Sequence, residues 1–445
     1  MSKRTIITFS IVVFITSISL LNSIERTEFT LISFLYTSSF FSYLFLIKYQ
    51  RNIKYQHLIF LSGIVYIISM IYEPLLSDDY YRFIWDGEIT WAGFNPFDFK
   101  PEELLQQKCI NKNAYLLNLY DFMSPLSQAN YSIYPPINQI YFIIATALSD
   151  SIKINTFILK LLIVTTEIIG AIYLRKLLIN LKIKTSRMWL LYLNPLWIIE
   201  SVGNCHFEGV MISYLFIAIY FLSKYKMIVG SMFFAIAIQI KLIPFIFLPF
   251  FYRFLGLWRS TLFYSITIII VMLLALIHLN LFNIENFFNS IKLYFEVFEF
   301  NSFILYNYIQ YGIAETGWNL TKIYGPQLSK ISIGIIVILS LYGQIDNWKK
   351  LFNRITIALF LYLLFSSTIH PWYILTMFAM SIFTNYSFPI FWTFIIFFSY
   401  IFYHFNDSSV IEFRLFVNLE YFLIISLFLY EIINKKSPIK FLRLN

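Results

Sequence analysis

The sequence predicts an all-α, polytopic membrane protein with roughly 12–14 transmembrane helices. Only 13% of its 445 residues are charged, whereas 59% are hydrophobic and 21% are aromatic. The mean hydropathy is +0.70. A soluble protein carries about 25% charged residues, so this chain has too little charge to cover a soluble surface. The net charge of +9 therefore indicates membrane topology rather than nucleic-acid binding.

Long apolar runs follow one another along the chain. A helix needs about 20 apolar residues to cross a hydrocarbon core of about 30 Å. The first run begins like a signal peptide but lacks a small-residue cleavage site, so we expect a retained helix. The predicted spans are 5–21, 29–47, 56–73, 155–174, 188–203, 207–223, 260–281, 327–344, 355–369, 388–405 and 416–433, with shorter apolar runs at 137–149, 227–240, 242–252 and 373–384.

The basic residues predict which side of the membrane each loop faces, because cytoplasmic loops are enriched in Lys and Arg. With Lys3 and Arg4 inside, most basic residues fall in loops on that side and the acidic residues fall in the opposite loops. This arrangement requires 227–252 to form a helical hairpin and 137–149 to be re-entrant or interfacial. We expect a single domain over 1–445 in a bacterial inner membrane, with both termini cytoplasmic.

Two outer loops, 74–136 and 282–326, are predicted to carry short interfacial helices. The first contains SDDYYRFIWDGEITWAGFNPF, an unusually charged stretch for so apolar a chain. If this stretch is helical, Asp79, either Arg82 or Phe83, and Asp86 share one face. A carboxylate beside an arginine at a low-dielectric boundary can stay ionised and accept a proton from a hydroxyl. A solvated loop with an acidic helix start is the alternative.

Further polar residues fall on the same predicted side. The segments YSIYPPINQ, NPLWIIESVGNCHFEGV and FSSTIHPWY each lie at the outer end of an apolar run. For the two histidines, the alternative is a hydrogen-bonded core residue. His206, Glu208 and an aspartate are also candidates for a divalent-cation site, although their spacing is not diagnostic. The polar and aromatic candidates in these segments are Tyr134, Glu200, Asn204, His206, Glu208, His370 and Trp372.

Lys241 lies at the tip of the predicted 227–252 hairpin, in IQIKLIPF, far from either basic flank. A lysine at mid-membrane costs about 2.5–3.5 kcal/mol on insertion scales. It should therefore face a cavity or an anion, unless its side chain extends to the interface.

The ordered segments SDDYYRFIWDGEITWAGFNPF, YPPINQ, NPLWIIESVGNCHFEG, IKLIPFIFLPFF and HPWYIL resemble those of bacterial GT-C glycosyltransferases. The resemblance covers about residues 70–385. Its nearest branch is the polyprenyl-phosphate-mannose-dependent mannosyltransferase-like proteins. Two departures concern the acceptor side, since relatives often carry Asp where this chain has Glu208, and Gly is common where it has Cys205.

The resemblance implies a GT-C-like transferase whose first outer loop supplies the general base, here Asp79 or Asp78, with Asp79 favoured. It also implies that Lys241 contacts the phosphate of a lipid-linked sugar donor, and the chemistry of such a transfer makes Arg82 a candidate second cation. Such a transfer needs a base, cations for the departing phosphate and aromatic walls for the sugar. The residues predicted to bind sugar or acceptor are Asp86, Trp85, Asn95, Tyr134, Asn204, His206, Glu208, His370 and Trp372.

The expected partners are a polyprenyl-phosphate sugar donor, a glycolipid, glycan or protein acceptor, and membrane lipids, with no nucleic acid. No cofactor is certain, and a divalent cation is an open alternative. An O-antigen-polymerase-like enzyme and a lipid or solute transporter are competing interpretations, but a transporter should place its polar residues at bilayer depth. The enzyme hypothesis predicts that Asp79, Lys241, His206 and His370 converge on one outward-facing cavity.

Overall fold

The computed structural model describes residues 2–277, 283–296, 298–405 and 411–442. The predicted span 260–281 and the predicted loop 282–326 thus lie partly outside the described residues. Within the described ranges the chain is all-helical, with 77% helix and no strand. The predicted all-α fold is confirmed.

Seven helices in the described ranges are long and apolar enough to cross a membrane, and an eighth span results if Pro195–Gly203 and Glu208–Ser223 form one broken span. Three shorter apolar helices are Tyr55–Ile71, Met227–Ile238 and Ile243–Leu255. The polytopic architecture is therefore confirmed. The number of described helices long enough to cross a membrane is lower than the 12–14 predicted, because several apolar runs fold as short or bent helices.

The first three helices precede the charged stretch. A short turn joins the first two, and the third ends just before Asp78. The Tyr36 hydroxyl donates to the Thr393 carbonyl oxygen at 2.5 Å and so ties the second helix to the C-terminal part of the chain. The helices are α1 (Lys3–Leu21), α2 (Phe29–Tyr49) and α3 (Tyr55–Ile71).

Short helices fill the predicted loop 74–136, as expected. The last helix of this region begins at Pro136, a residue suited to the first helical turn because its ring fixes φ and its missing N–H is not needed there. This helix has 11 residues, about 16 Å, and is too short to cross a membrane. The helices are α4 (Asp79–Trp91), α5 (Pro101–Leu104), α6 (Lys108–Asn111), α7 (Ala114–Phe122), α8 (Pro125–Gln128) and α9 (Pro136–Thr146).

The middle of the chain contains one long helix followed by broken ones. The segment after it includes a π-helix, Ile198–Gly203, and a 108° bend before the next helix. The predicted 227–252 hairpin forms two helical arms with Lys241 between them. The α-helices are α10 (Ile152–Asn180), α11 (Met188–Tyr192), α12 (Pro195–Trp197), α13 (Glu208–Ser223), α14 (Met227–Ile238), α15 (Leu248–Leu255) and α16 (Leu257–Ile277).

Helix α10 runs antiparallel to α3. Near its start, Lys160 Nζ donates to the backbone carbonyls of Ser69 at 2.9 Å and Tyr72 at 2.6 Å. Near its end, the Arg175 guanidinium lies 5.8 Å from the centre of the Tyr55 ring. The two contact points are 15 residues apart on α10, or about 22 Å. The acidic stretch after α3 and the basic stretch after α10 therefore lie at opposite ends of this pair.

The C-terminal part contributes helices and one short non-helical contact. Phe300 and Thr368 form an isolated parallel bridge, which fixes the segment after α17 against the segment after α20. The α-helices are α17 (Ile284–Glu296), α18 (Ile304–Thr316), α19 (Thr321–Leu341), α20 (Trp348–Leu364), α21 (Leu375–Ser381), α22 (Phe388–Ile395), α23 (Ile401–Phe405) and α24 (Ile411–Asn434). Short 3₁₀ segments, among them Ile243–Phe247, Pro371–Ile374 and Ile396–Tyr400, connect several of them.

Candidate active site

A cavity of about 380 Å³ lies where the start of α4, the bend before α13, the hairpin tip after α14 and the segment after α20 meet. The enzyme hypothesis predicted that four residues converge on one cavity. All four line this one: Asp79, Lys241, His206 and His370. The predicted site residues that line the cavity are Asp78, Asp79, Tyr134, His206, Glu208, Lys241, His370 and Trp372.

The two adjacent aspartates have different surroundings. Asp78 Oδ2 accepts a hydrogen bond from Arg26 Nη2 at 3.1 Å, and the Arg26 guanidinium lies 4.2 Å from the centre of the Tyr403 ring. Asp79 is the first residue of α4, and its Oδ2 lies 3.8 Å from Nε2 of His206, beyond hydrogen-bond length. Asp78 is therefore engaged in an ion pair, whereas Asp79 faces the cavity.

The environment of Asp79 changes its acidity. Burial in the cavity wall raises the pKa of Asp79 to about 7, and the negative charge of Asp78 acts in the same direction. Lys241 and Arg26 oppose this change, and Glu208 adds to it. A carboxyl group with a pKa near neutrality is suited to general-base work, because it is ionised at the working pH yet basic enough to take a proton.

The His206 ring lies between the carboxylates of Glu200 and Asp79. Its Nδ1 lies 3.0 Å from Oε2 of Glu200, whose Oε1 accepts from the Tyr400 hydroxyl at 2.9 Å. Its Nε2 lies 3.3 Å from Oγ of Ser77. A carboxylate at Nδ1 favours the tautomer with the proton on Nδ1. Nε2 is then the ring atom that faces Ser77 and Asp79.

A stack of rings forms one wall of the cavity. The His206 and Trp372 ring centres are 3.6 Å apart, and Trp372 and His370 are 4.5 Å apart with nearly parallel planes. Phe300 continues the stack, 4.6 Å from His370. The backbone holds Phe300 in place, because its N–H donates to the Ser367 carbonyl at 3.2 Å and its carbonyl accepts from Ile369 N–H at 2.9 Å. Because the rings stack face to face, this wall presents mainly their edges to the cavity.

Lys241 is placed by the hairpin tip. The preceding carbonyl, of Ile240, accepts a hydrogen bond from Asn138 Nδ2 at 2.8 Å and so ties the tip to the start of α9. Lys241 Nζ forms an ion pair with Oε1 of Glu208 and lies 5.1 Å from the centre of the Tyr373 ring. Lys241, which lies in an apolar stretch of the sequence, thus has a buried carboxylate partner and faces a cavity.

Three buried side-chain atoms of the cavity wall have no hydrogen-bond partner within the described part of the chain: Asn138 Oδ1, Glu208 Oε2 and His370 Nδ1. Burial and the nearby His206 and Lys241 lower the pKa of His370 to about 3, so its ring is neutral. A buried polar atom left unpaired costs about 1–3 kcal/mol.

The structure does not bring Arg82 and Asp86 into the cavity wall. They form a buried ion pair, with Arg82 Nε 2.7 Å from Asp86 Oδ1. Arg82 Nη1 also donates to the backbone carbonyls of Ser127 at 2.6 Å and Asn130 at 2.8 Å. Since Ser127 lines the cavity, this pair supports the wall from behind and is not a phosphate contact.

Trp85, Asn95 and Asn204 also lie outside the cavity wall. Trp85 is fully buried. Asn95 stabilises a turn, donating to Asp98 Oδ2 at 2.5 Å. Asn204 donates to Glu200 Oε2 at 3.1 Å and therefore acts on the site through the carboxylate that orients His206.

Sequence reasoning missed several residues of the wall. Arg26 had a signal, because it is a basic residue in a short connection on the predicted acidic side. Asn138 lies inside the quoted YPPINQ segment, but nothing distinguished it from its neighbours. Phe298, Phe300 and Tyr403 had no local signal, since they come from apolar stretches far along the chain.

Among the residues that the structure describes, no group of three or more His, Cys, Asp and Glu side chains is arranged to hold a metal ion. His206 and Glu208, which were considered for such a site together with an aspartate, contact Glu200 and Lys241.

Residues 39–256 match the family described as alpha-(1->6)-mannopyranosyltransferase, N-terminal domain, the MptA_B family. Over these residues, just under half of the chain, the protein is similar to that family of GT-C-type mannosyltransferases. No curated protein matches the chain. The matched range contains Asp78, Asp79, His206, Glu208 and Lys241, so the cavity lies largely within it. Together with its apolar helices, the match supports a membrane mannosyltransferase.

We expect Arg82→Met to destabilise the mannosyltransferase by about 3–5 kcal/mol, because it leaves Asp86 buried and unpaired. Asp86 is 0% exposed and keeps only neutral partners, Ser132 and Gln139. Thermal unfolding in detergent measures the loss. The matched control is Arg26→Met, whose ion pair is about a quarter exposed and should cost less. If Arg82→Met keeps wild-type stability but has a raised KM for the donor, Arg82 contacts the donor instead of supporting the fold.

Proposed function

We propose that this mannosyltransferase moves mannose from a polyprenyl-phosphate mannose to an acceptor hydroxyl at the extracytoplasmic face of the membrane. The acceptor is a glycolipid, a glycan or a protein. One observation carries the proposal: a single cavity contains a partly buried carboxylate, Asp79, and a cation at the hairpin tip, Lys241.

The proposed reaction forms one bond and breaks one. The acceptor oxygen bonds to C1 of mannose while the bond from C1 to the phosphate oxygen breaks, through a transition state with positive charge on the sugar ring. The acceptor proton goes to Asp79. The bonding electrons leave with the phosphate, whose added negative charge Lys241 and Arg26 offset.

Lys241 is suited to this role although Glu208 neutralises it in the ligand-free site. Its side chain is 26% exposed and its partner 0%, so the ammonium group is on the cavity side of the pair. A phosphate arriving in front of it would add a second anion without displacing the buried one. The edges of the Trp372 and His370 rings would then border the sugar.

The extracytoplasmic location is supported by the arrangement of charge along the helices. The cavity lies at the end of α3, whereas Lys54, Arg175 and Lys176 lie at the opposite end of the α3–α10 pair. Because basic residues favour the cytoplasmic side, the cavity is assigned to the other side.

The donor class is tested with the purified protein in lipid vesicles. Radiolabelled mannose is supplied either as polyprenyl-phosphate mannose or as a nucleotide-diphosphate mannose, with and without EDTA. The proposal expects transfer from the lipid donor alone, with no effect of EDTA. Transfer from the nucleotide sugar alone would overturn the donor assignment while leaving the family intact.

We expect the activity to rise with pH through an inflection near pH 7, because Asp79 accepts a proton only when ionised and its pKa is raised to about 7 by burial and by Asp78. A phosphodiester donor does not titrate in this range. The measurement is kcat/KM from about pH 5 to about pH 9 at constant ionic strength. The groups whose charge acts on Asp79 are Asp78, Arg26, Lys241 and Glu208.

Asp78→Asn provides the matched test of this assignment. It removes a neighbouring negative charge and releases Arg26, and both changes favour ionised Asp79. The inflection should therefore move to lower pH. A profile without an inflection, or a shift to higher pH in Asp78→Asn, would contradict the role of Asp79.

A further inference from the structure

A second cavity lies between α3 and α10, away from the candidate active site. Its volume is about 450 Å³, and α11 closes it from behind. Residues of one face of each helix line it, from Tyr55 to Met70 on α3 and from Val164 to Arg175 on α10. We propose that this groove binds one acyl chain of an anionic phospholipid, with the lipid phosphate at Arg175.

The shape of the groove fits a hydrocarbon chain. It follows α3 over 15 residues, about 22 Å. The whole open space of the groove, about 1090 Å³, gives a mean cross-section of about 50 Å² over that length, whereas an α-helix about 10 Å in diameter needs about 80 Å². The groove is therefore too narrow for a helix of a partner protein. The groove is long enough for an acyl chain that extends inward from one leaflet of a hydrocarbon core about 30 Å thick.

The groove stays open because its walls carry small residues at their centre. A Cβ atom built on Gly63 would meet no heavy atom within 4 Å, and Ala171 lies in the other wall. The one acidic residue in the described lining, Glu167, already accepts hydrogen bonds from Tyr66 and from Trp197, each at 2.9 Å. The carboxylate is thus bound within the protein and the rest of the lining is suited to an alkyl chain.

The charge at one end of the groove selects the headgroup. Arg175 is exposed over the Tyr55 ring, and the neighbouring Lys54 and Lys176 are exposed as well. Arginine forms paired hydrogen bonds with phosphate oxygens, and clustered basic residues at the end of membrane helices attract anionic lipids. A chain in the groove would place its headgroup beside these cations.

The test measures lipid retained on the purified full-length protein by native mass spectrometry. The protein is exchanged into phosphatidylglycerol or phosphatidylcholine of identical acyl chains. The wild type should retain one phosphatidylglycerol in preference. Gly63→Trp fills the groove and should abolish retention. The matched control is Gly334→Trp, since Gly334 is also a helical glycine with no heavy atom within 4 Å of a built Cβ.

Arg175→Ala tests the headgroup. It should lower the preference for phosphatidylglycerol over phosphatidylcholine about fivefold, as expected for one interfacial cation, because the zwitterionic headgroup gains less from a nearby cation. Its control is Arg259→Ala, because Arg259 lies similarly over the Tyr225 ring at 5.1 Å. Glycerol phosphate added in excess should not compete. Competition by it would show a site for free anions and overturn the acyl-chain assignment.

A second measurement does not depend on folding of the Gly63→Trp protein. Trp189 lies in the groove wall, so phosphatidylglycerol with brominated chains should quench its fluorescence. Trp189→Phe should remove that part of the quenching. Equal quenching in the wild type and in Trp189→Phe, or equal retention by Gly63→Trp and Gly334→Trp, would reject the proposal.

Discussion

Asp79→Asn is expected to lower kcat for mannosyl transfer about 10²- to 10⁴-fold, the range for loss of a general base. The KM for the donor should change little, because asparagine keeps the size and hydrogen-bonding capacity of the side chain. Transfer of radiolabelled mannose in membrane vesicles measures the loss, with protein amount matched by immunoblot.

Asp78→Asn is the matched control for that experiment. Asp78 pairs with Arg26 at 3.1 Å, so its loss should alter the pH profile and the position of Arg26 but retain most of kcat. If Asp78→Asn is inactive and Asp79→Asn active, the base is Asp78. Wild-type rates in both variants would remove the carboxylate from the mechanism altogether.

Lys241→Met is expected to raise the donor KM about 10- to 100-fold, which corresponds to the 1.5–3 kcal/mol of a charged hydrogen bond. Methionine has a similar length but no charge. The polyprenyl phosphate product should inhibit this variant correspondingly less. Steady-state kinetics over donor concentration, with product inhibition, measure both.

The buried Glu208 complicates the single variant, because removing Lys241 leaves that carboxylate without its partner. The double variant Lys241→Met with Glu208→Gln removes both charges and should recover stability but not donor affinity. Lys241→Arg, which keeps the charge, should retain part of the affinity. An unchanged donor KM with a raised acceptor KM would move Lys241 to the acceptor side.

The helical membrane architecture could be predicted from the sequence because it depends on apolar runs and on loop charge. The apolar character of a run does not predict where its helix bends or ends. The predicted spans 188–203 and 207–223 contain a π-helix and a 108° bend. At this bend Cys205 lies in the left-handed region, with φ of 62°. This conformation costs free energy for any residue that has a Cβ atom. This conformation explains why glycine is common there in the proteins that the sequence resembles.

The polar residues of the cavity could be predicted because charge is conspicuous in an apolar chain. Asp79, His206, Lys241 and His370 each stand out against their neighbours. Their partners could not be predicted, since pairing is decided by contacts between distant segments. Arg26 reaches Asp78 across 52 positions. Arg82 illustrates the reverse case, because the i+4 spacing to Asp86 already allowed the local ion pair that excludes it from the cavity.

The ring wall draws on residues beyond the family match. Phe300, His370 and Trp372 follow residue 256, whereas Asp79 and Lys241 precede it. The proposed reacting groups and the ring stack therefore lie in different parts of the chain. A fragment ending at the family boundary would hold only an incomplete pocket.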